Sequence, residues 1–399
     1  MQLRKILWIP PGNGKTRIAI NLMQKCNAEN LLVVAPLSLH EWWRRELNKQ
    51  FSAPYRITSY DKDPDWEETF SAIIFDESIL LKNRKTKRFQ RWKTYVQRTK
   101  PQHILLLTGN PIGKYADDLW TQLHLLDPKR FSSYWRWTEE HCYVQRYWGW
   151  EVVGNRSSLD KIVDSAYPYI LYDENPHNVQ IPDFLFHSIN VGLSSVTLDF
   201  ISKLYKDLYL AESPIANKLT LLLRTMQIVS DPFVLDLALP RDRYRALLNV
   251  LETVEKPVLV FTSFKHNLYH RTVDVRKKFR TEYLTGETKP FERQTIMDRI
   301  NDRDLEVVFL TPGVGRFGFN APDCSLVFWD LPIAYDYFYQ AIHRVRRLTS
   351  TKRSEVFLLH SEVKSDKVLL DLLLRKSKYT LHSVLKQILL EKEVQNVPE

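Results

Sequence analysis

Five residues near the start, Gly12-Asn13-Gly14-Lys15-Thr16, constrain this chain more than any other stretch. They follow a short apolar run over 3–9 and precede 15–27, where Ile18, Leu22, Met23 and Cys26 recur at helical spacing. A glycine turn between strand and helix aims backbone N–H groups and the helix N-terminus at phosphate oxygens. Lys15 then suits the β/γ oxygens and Thr16 a Mg²⁺ ion. Ile9 stands where the strict eight-residue pattern has its first Gly. The strand–loop–helix setting favours a phosphate loop over an ordinary glycine turn, and with it a parallel α/β layer.

The rest of the chain repeats that alternation. Strand-like runs recur at 31–35, 55–58, 71–75 and 104–108 with helical patterns between them, and a second series begins at 257. Its strands, within 257–262, 307–311, 325–330 and 354–359, are separated by helical stretches at 266–280, 290–301 and 336–347. Two α/β lobes with doubly wound parallel sheets are expected. The first spans 1–130, an aromatic and helical linking region 131–240, the second lobe 241–365, and a helical tail 366–399.

Charge narrows the partner. The 399 residues hold 57 Lys plus Arg against 47 Asp plus Glu, a net of +10. Residues 1–130 carry 22 basic and 13 acidic residues, or +9, which leaves +1 for the rest. Lys82 to Lys100 alone holds nine basic residues and no acid. A localised strip of this kind implies a polyanion such as nucleic acid. Phe89, Trp92 and Val96 share one helical face of it, and Arg84, Lys87, Arg88, Arg91 and Arg98 cluster opposite. The alternative is a solvated face, but unrelieved like charge is costly unless an anion is near. The three cysteines, Cys26, Cys142 and Cys324, have neither disulfide nor zinc spacing. Apolar runs are strand-length, too short for a membrane span or a signal peptide, so a cytoplasmic protein is expected, and a disordered chain is excluded.

Two further clusters carry chemistry. Asp76-Glu77 closes the apolar run 71–75, where Asp76 would hold Mg²⁺ through water and Glu77 would orient the attacking water of NTP hydrolysis. Gln340 to Arg347 (QAIHRVRR) puts Arg344 and Arg347 three apart, on one face of a helix, as candidate arginines for a γ-phosphate. The aromatics over 131–150 suit core packing better than base stacking, and His103, His124 and His141 are taken as structural.

Seven motifs in order, GNGKT, VVAPLSLHEWWRREL, FDESILLKN, LLLTGNPIGKYADDLWTQLHLLDP, VLVFTSF, LTPGVGRFGFN and QAIHRVRR, resemble the superfamily-two helicase ATPases of the Swi/Snf-related DNA translocase branch. The linking LRTMQIVSDPFVL is similar too, and the resemblance covers residues 5 to about 360. It implies two RecA-like lobes joined by helical insertions. It also implies ATP and Mg²⁺ at Gly12, Asn13, Gly14, Lys15 and Thr16, with Gly318 and Gln340 facing the nucleotide from the second lobe. Asp76 and Glu77 would drive hydrolysis, and Arg344 and Arg347 would be arginine fingers. Thr108, Gly109, Pro111, Gly315 and Asn320 would couple hydrolysis to movement. Pro36, Ser38, Ser59, Tyr60, Thr262, Ser263 and Thr311 would touch the DNA backbone, joined by Arg84, Arg88 and Arg91 of the basic strip and by Arg316.

The activity so implied is ATP-driven movement along, or remodelling of, duplex or branched DNA. It is expected of a monomer working beside replication, recombination or repair proteins, in a compact phage or mobile-element version acting in the host cytoplasm. The alternatives are an RNA or RNA–DNA helicase of the same superfamily and a nucleotide-gated DNA clamp or loading factor with little net movement. Departures from the family pattern are specific. Asp-Glu-Ala-His becomes Asp76-Glu77-Ser78-Ile79, so a His that links the ATP and coupling motifs is replaced and coupling is wired differently. Asn110 replaces a Thr, Arg316 a Gly, and Thr349-Ser350 a Gly-Gln; the double Arg ahead of Ile181-Pro182 is replaced at 170–172. The residues ahead of Gly12 hold no Gln motif to read adenine, and ATP is the nucleotide expected by default.

Overall fold

A computed structural model of the chain describes residues 2–145, 151–173, 182–209, 214–311, 314, 320–347 and 349–375. The chain divides into two compact units, Met1–Val179 and Gln180–Glu399.

In the first unit, β1 (Arg4–Trp8), α1 (Lys15–Lys25), β2 (Leu31–Val34), α2 (His40–Gln50), β3 (Tyr55–Thr58) and β4 (Ala72–Asp76) are followed by α3 (Lys87–Thr99), β5 (His103–Thr108) and α4 (Asp117–Leu126). Then come α5 (Tyr134–His141), a hairpin of β6 (Cys142–Gln145) and β7 (Glu151–Asn155), α6 (Leu159–Ser165) and β8 (Ile170–Tyr172). Six parallel strands lie in the order β3-β2-β4-β5-β1-β8. Alternate residues of each strand point to opposite faces, and the core splits accordingly. Leu7, Val33, Ile74, Leu105 and Leu107 pack with Ile20 and Met23 of α1 and Trp43 and Leu47 of α2. Ile6, Val34, Phe75, Ile104 and Leu106 pack with Trp92 of α3, Leu119 of α4 and Trp137 of α5. Both faces are covered by helices, which is why the strands read as continuous apolar runs.

The second unit starts with β9 (Phe184–Asn190), α7 (Ser195–Tyr209), α8 (Pro214–Ser230) and α9 (Asp242–Thr253). It continues with β10 (Val258–Phe261), α10 (Lys265–Arg276), β11 (Thr281–Leu284), α11 (Pro290–Asn301), β12 (Val307–Leu310), β13 (Ser325–Phe328), α12 (Tyr335–Val345), β14 (Ser354–His360) and α13 (Lys364–Leu374). Its six strands are also all parallel, in the order β11-β12-β10-β13-β14-β9. The two doubly wound lobes are therefore as expected.

Residues 131–240, read from the sequence as a separate linking region, divide between the two units instead. Ile170–Tyr172 adds a sixth strand beside β1, and Phe184–Asn190 pairs along its whole length with β14. Neither carries a strong strand signal: the first has three residues, and the second is an edge strand with much of its surface exposed. Of the expected tail, 364–374 is helical, and 376–399 lies outside the described residues.

Candidate functional site

Strand order builds the site in the first unit. β4, β5 and β1 are neighbours, with Asp76 beside Leu107 and Thr108 beside Trp8, so the loops leaving their C-terminal ends share one edge of the sheet. Ligands of open α/β sheets bind at that edge.

The loop after β1 turns through Gly12 (φ 91°) and Gly14 (φ 70°), left-handed conformations that carry no penalty for glycine. Gly14 caps α1, no side chain caps the helix, and no acid lies in its first turn, so the N-terminal N–H groups are presented for an anion. Asn13 is buried, and Lys15 and Thr16 are half-buried in the first turn. Lys15 Nζ donates to the carbonyls of Ile9 (2.9 Å) and Pro10 (3.3 Å), folded over its own loop. Lys15 also lies near enough to Asp76 to favour that carboxylate's charged form.

Asp76 ends β4 and is 7% exposed. Its Oδ2 accepts from Trp43 Nε1 (2.8 Å), and its Oδ1 from the Glu77 backbone N–H (3.0 Å). Burial, reinforced by the neighbouring Glu77 charge, pushes its carboxyl up to about 6 despite those bonds and Lys15. A carboxylate this desolvated gains from a cation placed beside it, so Thr16 and Asp76 fit a Mg²⁺ ion. Glu77 holds a left-handed backbone (φ 55°), an unusual strain for a residue with a side chain, and strain of this kind gathers at active sites.

The loop after β5 closes on both. Thr108 is buried, its hydroxyl donating to the Asn110 carbonyl (2.9 Å), and Ile9 N–H donates to the Thr108 carbonyl (3.2 Å). A Cβ on Gly109 would sit 3.0 Å from Pro11 Cδ, so any side chain here would crowd the phosphate loop this loop lies against. The Gly109 carbonyl accepts from Trp8 Nε1 at 3.1 Å, and the Pro111 carbonyl from Gln122 Nε2 at 2.8 Å.

The expected nucleic-acid contacts of the first unit separate. Pro36 and Ser38, just past β2, and Ser59, just past β3, are half-buried. Tyr60 is instead 2% exposed, its hydroxyl donating to the Asp76 carbonyl (2.7 Å), so it braces the carboxylate strand from inside. α3 docks by Phe89, Trp92, Tyr95 and Val96, as its spacing requires, with Thr86 as N-cap. Its arginines are not free of acid: Arg88 grips Asp61 through two bonds of 2.9 and 2.7 Å, and Arg91 pairs with Asp63. Arg84 lies over the Tyr134 ring (4.3 Å). Lys82, Lys85, Lys87, Arg98 and Lys100 remain exposed. Trp137 is buried and donates to the Ala116 carbonyl, whereas Trp135 and Tyr143 are exposed; His103 accepts from the Leu3 N–H, and His124 and His141 hydrogen-bond the Phe131 carbonyl and the Ser157 hydroxyl. Tyr147, Trp148 and Trp150 lie outside the described residues.

In the second unit Arg344 is on α12, but Arg347 is not. The helix ends at Val345, Arg346 turns extended and donates to the Pro182 carbonyl (3.1 Å), and the Arg347 N–H goes to Ser350 Oγ (2.9 Å). One shared helical face is thus corrected to a helix end followed by a turn. Burial, with Arg344 close by, pushes the Arg347 guanidinium well below its ordinary pKa. Gln340 is half-buried on α12. The Arg344 carbonyl accepts from Ala321 N–H (3.0 Å), which ties the chain just after Asn320 to the end of the arginine helix. Thr311 is half-buried after β12, and Ser263 half-buried after β10. Thr262 is fully buried, donating to Asp330 (2.6 Å), which removes it from any surface. Gly315, Arg316 and Gly318 lie outside the described residues.

Residues 242–349 match the model of the helicase conserved C-terminal domain. The chain is 23% identical over 440 residues to the CHD3-type chromatin-remodeling factor CHR7 of Arabidopsis thaliana, covering 90% of this chain and 35% of that protein. It is 24% identical over 409 residues to the SWI/SNF-related matrix-associated actin-dependent regulator of chromatin subfamily A-like protein 1 of Xenopus tropicalis, covering 92% and 42%. The likeness to these chromatin-related proteins thus extends over about nine-tenths of the chain, and residues 242–349 within it have the helicase conserved C-terminal domain. It spans about a third of the length of the CHD3-type relatives it matches. A solved structure, the Sulfolobus solfataricus SWI2/SNF2 ATPase core in complex with dsDNA, is 21% identical with a TM-score of 0.42, over 97% of this chain and 88% of that one.

Three residues close to the carboxylates had no signal of their own in the sequence. Trp43 is at helical spacing with Leu47, which marks a buried face but not a hydrogen bond to Asp76. Ser78 and Gln122, both fully buried, bond to each other (2.8 Å) behind Glu77. The counter-charges Asp61 and Asp63 sit more than twenty residues from the arginines they meet.

Proposed function

We propose that this chain is an ATP-dependent DNA translocase that moves along or remodels duplex DNA. The observation that carries it is the edge of the first sheet, where an uncapped, glycine-turned helix N-terminus, a buried Asp76 and a strained Glu77 come together. Backbone N–H groups of 12–16 and Lys15 bind the ATP phosphates, which draws Lys15 from its own loop carbonyls. Thr16 and Asp76 would hold a Mg²⁺ ion, which would supply charge neutralisation to the bound phosphates. Glu77 orients water for in-line attack and accepts its proton, while Trp43 and Tyr60 fix the strand end behind it. Arg344 and Arg347 stabilise the charge that spreads over the transferred phosphoryl group. Gly315, Gly318, Asn320 and Gln340 couple the second lobe to the nucleotide.

DNA is the proposed track because the basic segment 82–100 adjoins the carboxylate loop and because the relatives' names point to chromatin. Lys82, Lys85 and Lys87, with Ser38, Ser59, Ser263, Thr311 and Arg316, read phosphate backbone and not base edges, so stepping is indifferent to sequence. Branched DNA, and replication, recombination or repair partners, are part of the same proposal. The test is an ATPase panel over single-stranded, duplex, forked and four-way DNA and RNA, run beside displacement of a triplex strand. DNA stimulation with displacement supports the motor. Stronger stimulation by RNA would make it an RNA helicase, and robust ATPase without displacement would make it a nucleotide-gated clamp.

A further inference from the structure

Between the carboxylate loop and the loop after β5 runs a closed hydrogen-bonded chain with no access to water. Ser78 follows Glu77 directly, and Gln122 is on α4; both are 0% exposed. The Pro111 carbonyl can only accept, so the Gln122 amide NH₂ must face it, at 2.8 Å. That leaves Gln122 Oε1 toward Ser78, whose hydroxyl donates at 2.8 Å. The same Nε2 lies 3.5 Å from the Asp118 carbonyl. Two polar side chains buried in an apolar layer cost stability unless each is satisfied by the other, so this pair holds one relative placement of the two loops and no other.

Both ends of the chain matter. On one side Glu77 is strained at φ 55°, one residue from Ser78. On the other, Pro111 is two residues from Gly109, which lies against Pro11 of the phosphate loop. A Cβ on Gly113 would meet Asp118 Oδ2 at 2.7 Å and Lys82 Nζ at 2.8 Å, so the same loop is wedged where the basic strip begins. A shift of the 109–113 loop therefore moves Glu77 through Gln122 and Ser78, and the reverse.

We infer that Gln122 is a positioning residue, which with Ser78 links the hydrolysis carboxylates to the loop after β5 and to the basic surface beside it. The inference rests on the proposed DNA-stimulated ATPase. It is tested in the full chain with Gln122→Leu, which fills the buried space, Ser78→Ala, and the double variant, measuring ATPase with and without saturating duplex DNA, the KM for ATP, and thermal stability. Each single variant is expected to cut the DNA-stimulated to DNA-free rate ratio roughly five- to tenfold with KM little changed. The double variant should lose no more than the worse single, because the two side chains act as one unit. Singles that keep the wild-type ratio, that lose both rates in proportion, or whose losses multiply in the double would overturn the inference. A wild-type chain without DNA-stimulated turnover would overturn the functional reading itself, and the two failures appear in different lanes of the experiment.

Discussion

The two units are alike in architecture and unlike in how they hold their chemistry. Each is a six-stranded parallel sheet covered on both faces, and each buries an aspartate near a strand end that takes two hydrogen bonds. In the first, Asp76 is held by Trp43 and the Glu77 N–H with Lys15 nearby, at the edge where three loops meet. In the second, Asp330 takes the Thr262 hydroxyl and the Ser263 N–H and serves the packing of β10 against β13. Burial raises both carboxyls. A buried aspartate thus becomes a reactive group through its neighbours and its position on the sheet edge.

Several substitutions break or sharpen that contrast. Arg347→Ala should cut turnover by about 10³-fold while ATP binding persists, measured by steady-state hydrolysis and nucleotide fluorescence titration; retained rates would confine the chemistry to the first unit. Lys15→Ala should lower turnover at least about 10²-fold with DNA binding kept.

Asp76→Asn separates function from stability. The folded carboxyl titrates near 6 and the unfolded one near 3.8, so its charge costs nothing below both values and its full amount above both. The neutral amide should abolish turnover; its NH₂ must face either the Trp43 or the Glu77 donor, so against wild type it should destabilise the fold at pH 3 and by less at pH 8, where the wild-type carboxylate is itself costly, as read by urea melts. Thr262→Val, the corresponding probe of the second unit, should destabilise by about 1–3 kcal/mol by stripping a donor from Asp330. It should leave the salt dependence of DNA binding unchanged; a flatter slope would restore Thr262 as a backbone contact.

The smallest expected effect concerns the basic strip. Arg88 and Arg91 are countered by Asp61 and Asp63 before any phosphate arrives. Asp61→Asn with Asp63→Asn should tighten DNA binding a few-fold at low salt. Replacing Arg84, Arg88 and Arg91 with Gln should flatten the salt slope by up to about 0.9 per lost phosphate contact. No change in either would reduce this part of the strip to a solvated face.

Much of this was legible in the sequence, for physical reasons. Buried parallel strands are continuous apolar runs, so nine of the twelve sheet strands could be placed within a residue or two, Thr281–Leu284 being missed between two helical stretches, and Gly12, Gly14 and Asp76-Glu77 announced themselves by type and spacing. What was illegible depends on contacts between distant segments. Ile170–Tyr172 and Phe184–Asn190 become sheet strands only through their partners. Tyr60 and Thr262 turn inward toward the backbone carbonyl of Asp76 and the carboxylate of Asp330. Arg347 falls beyond a helix end that periodicity does not mark, since Arg344 and Arg347 keep helical spacing across it.

The most direct test is the steady-state ATPase rate of the full chain with and without duplex DNA, measured beside Glu77→Gln. The account predicts a DNA-stimulated wild type and a variant that binds nucleotide but hydrolyses it about 10²–10⁴-fold more slowly. Equal rates with and without DNA, or a Glu77→Gln chain that turns over like wild type, would contradict it.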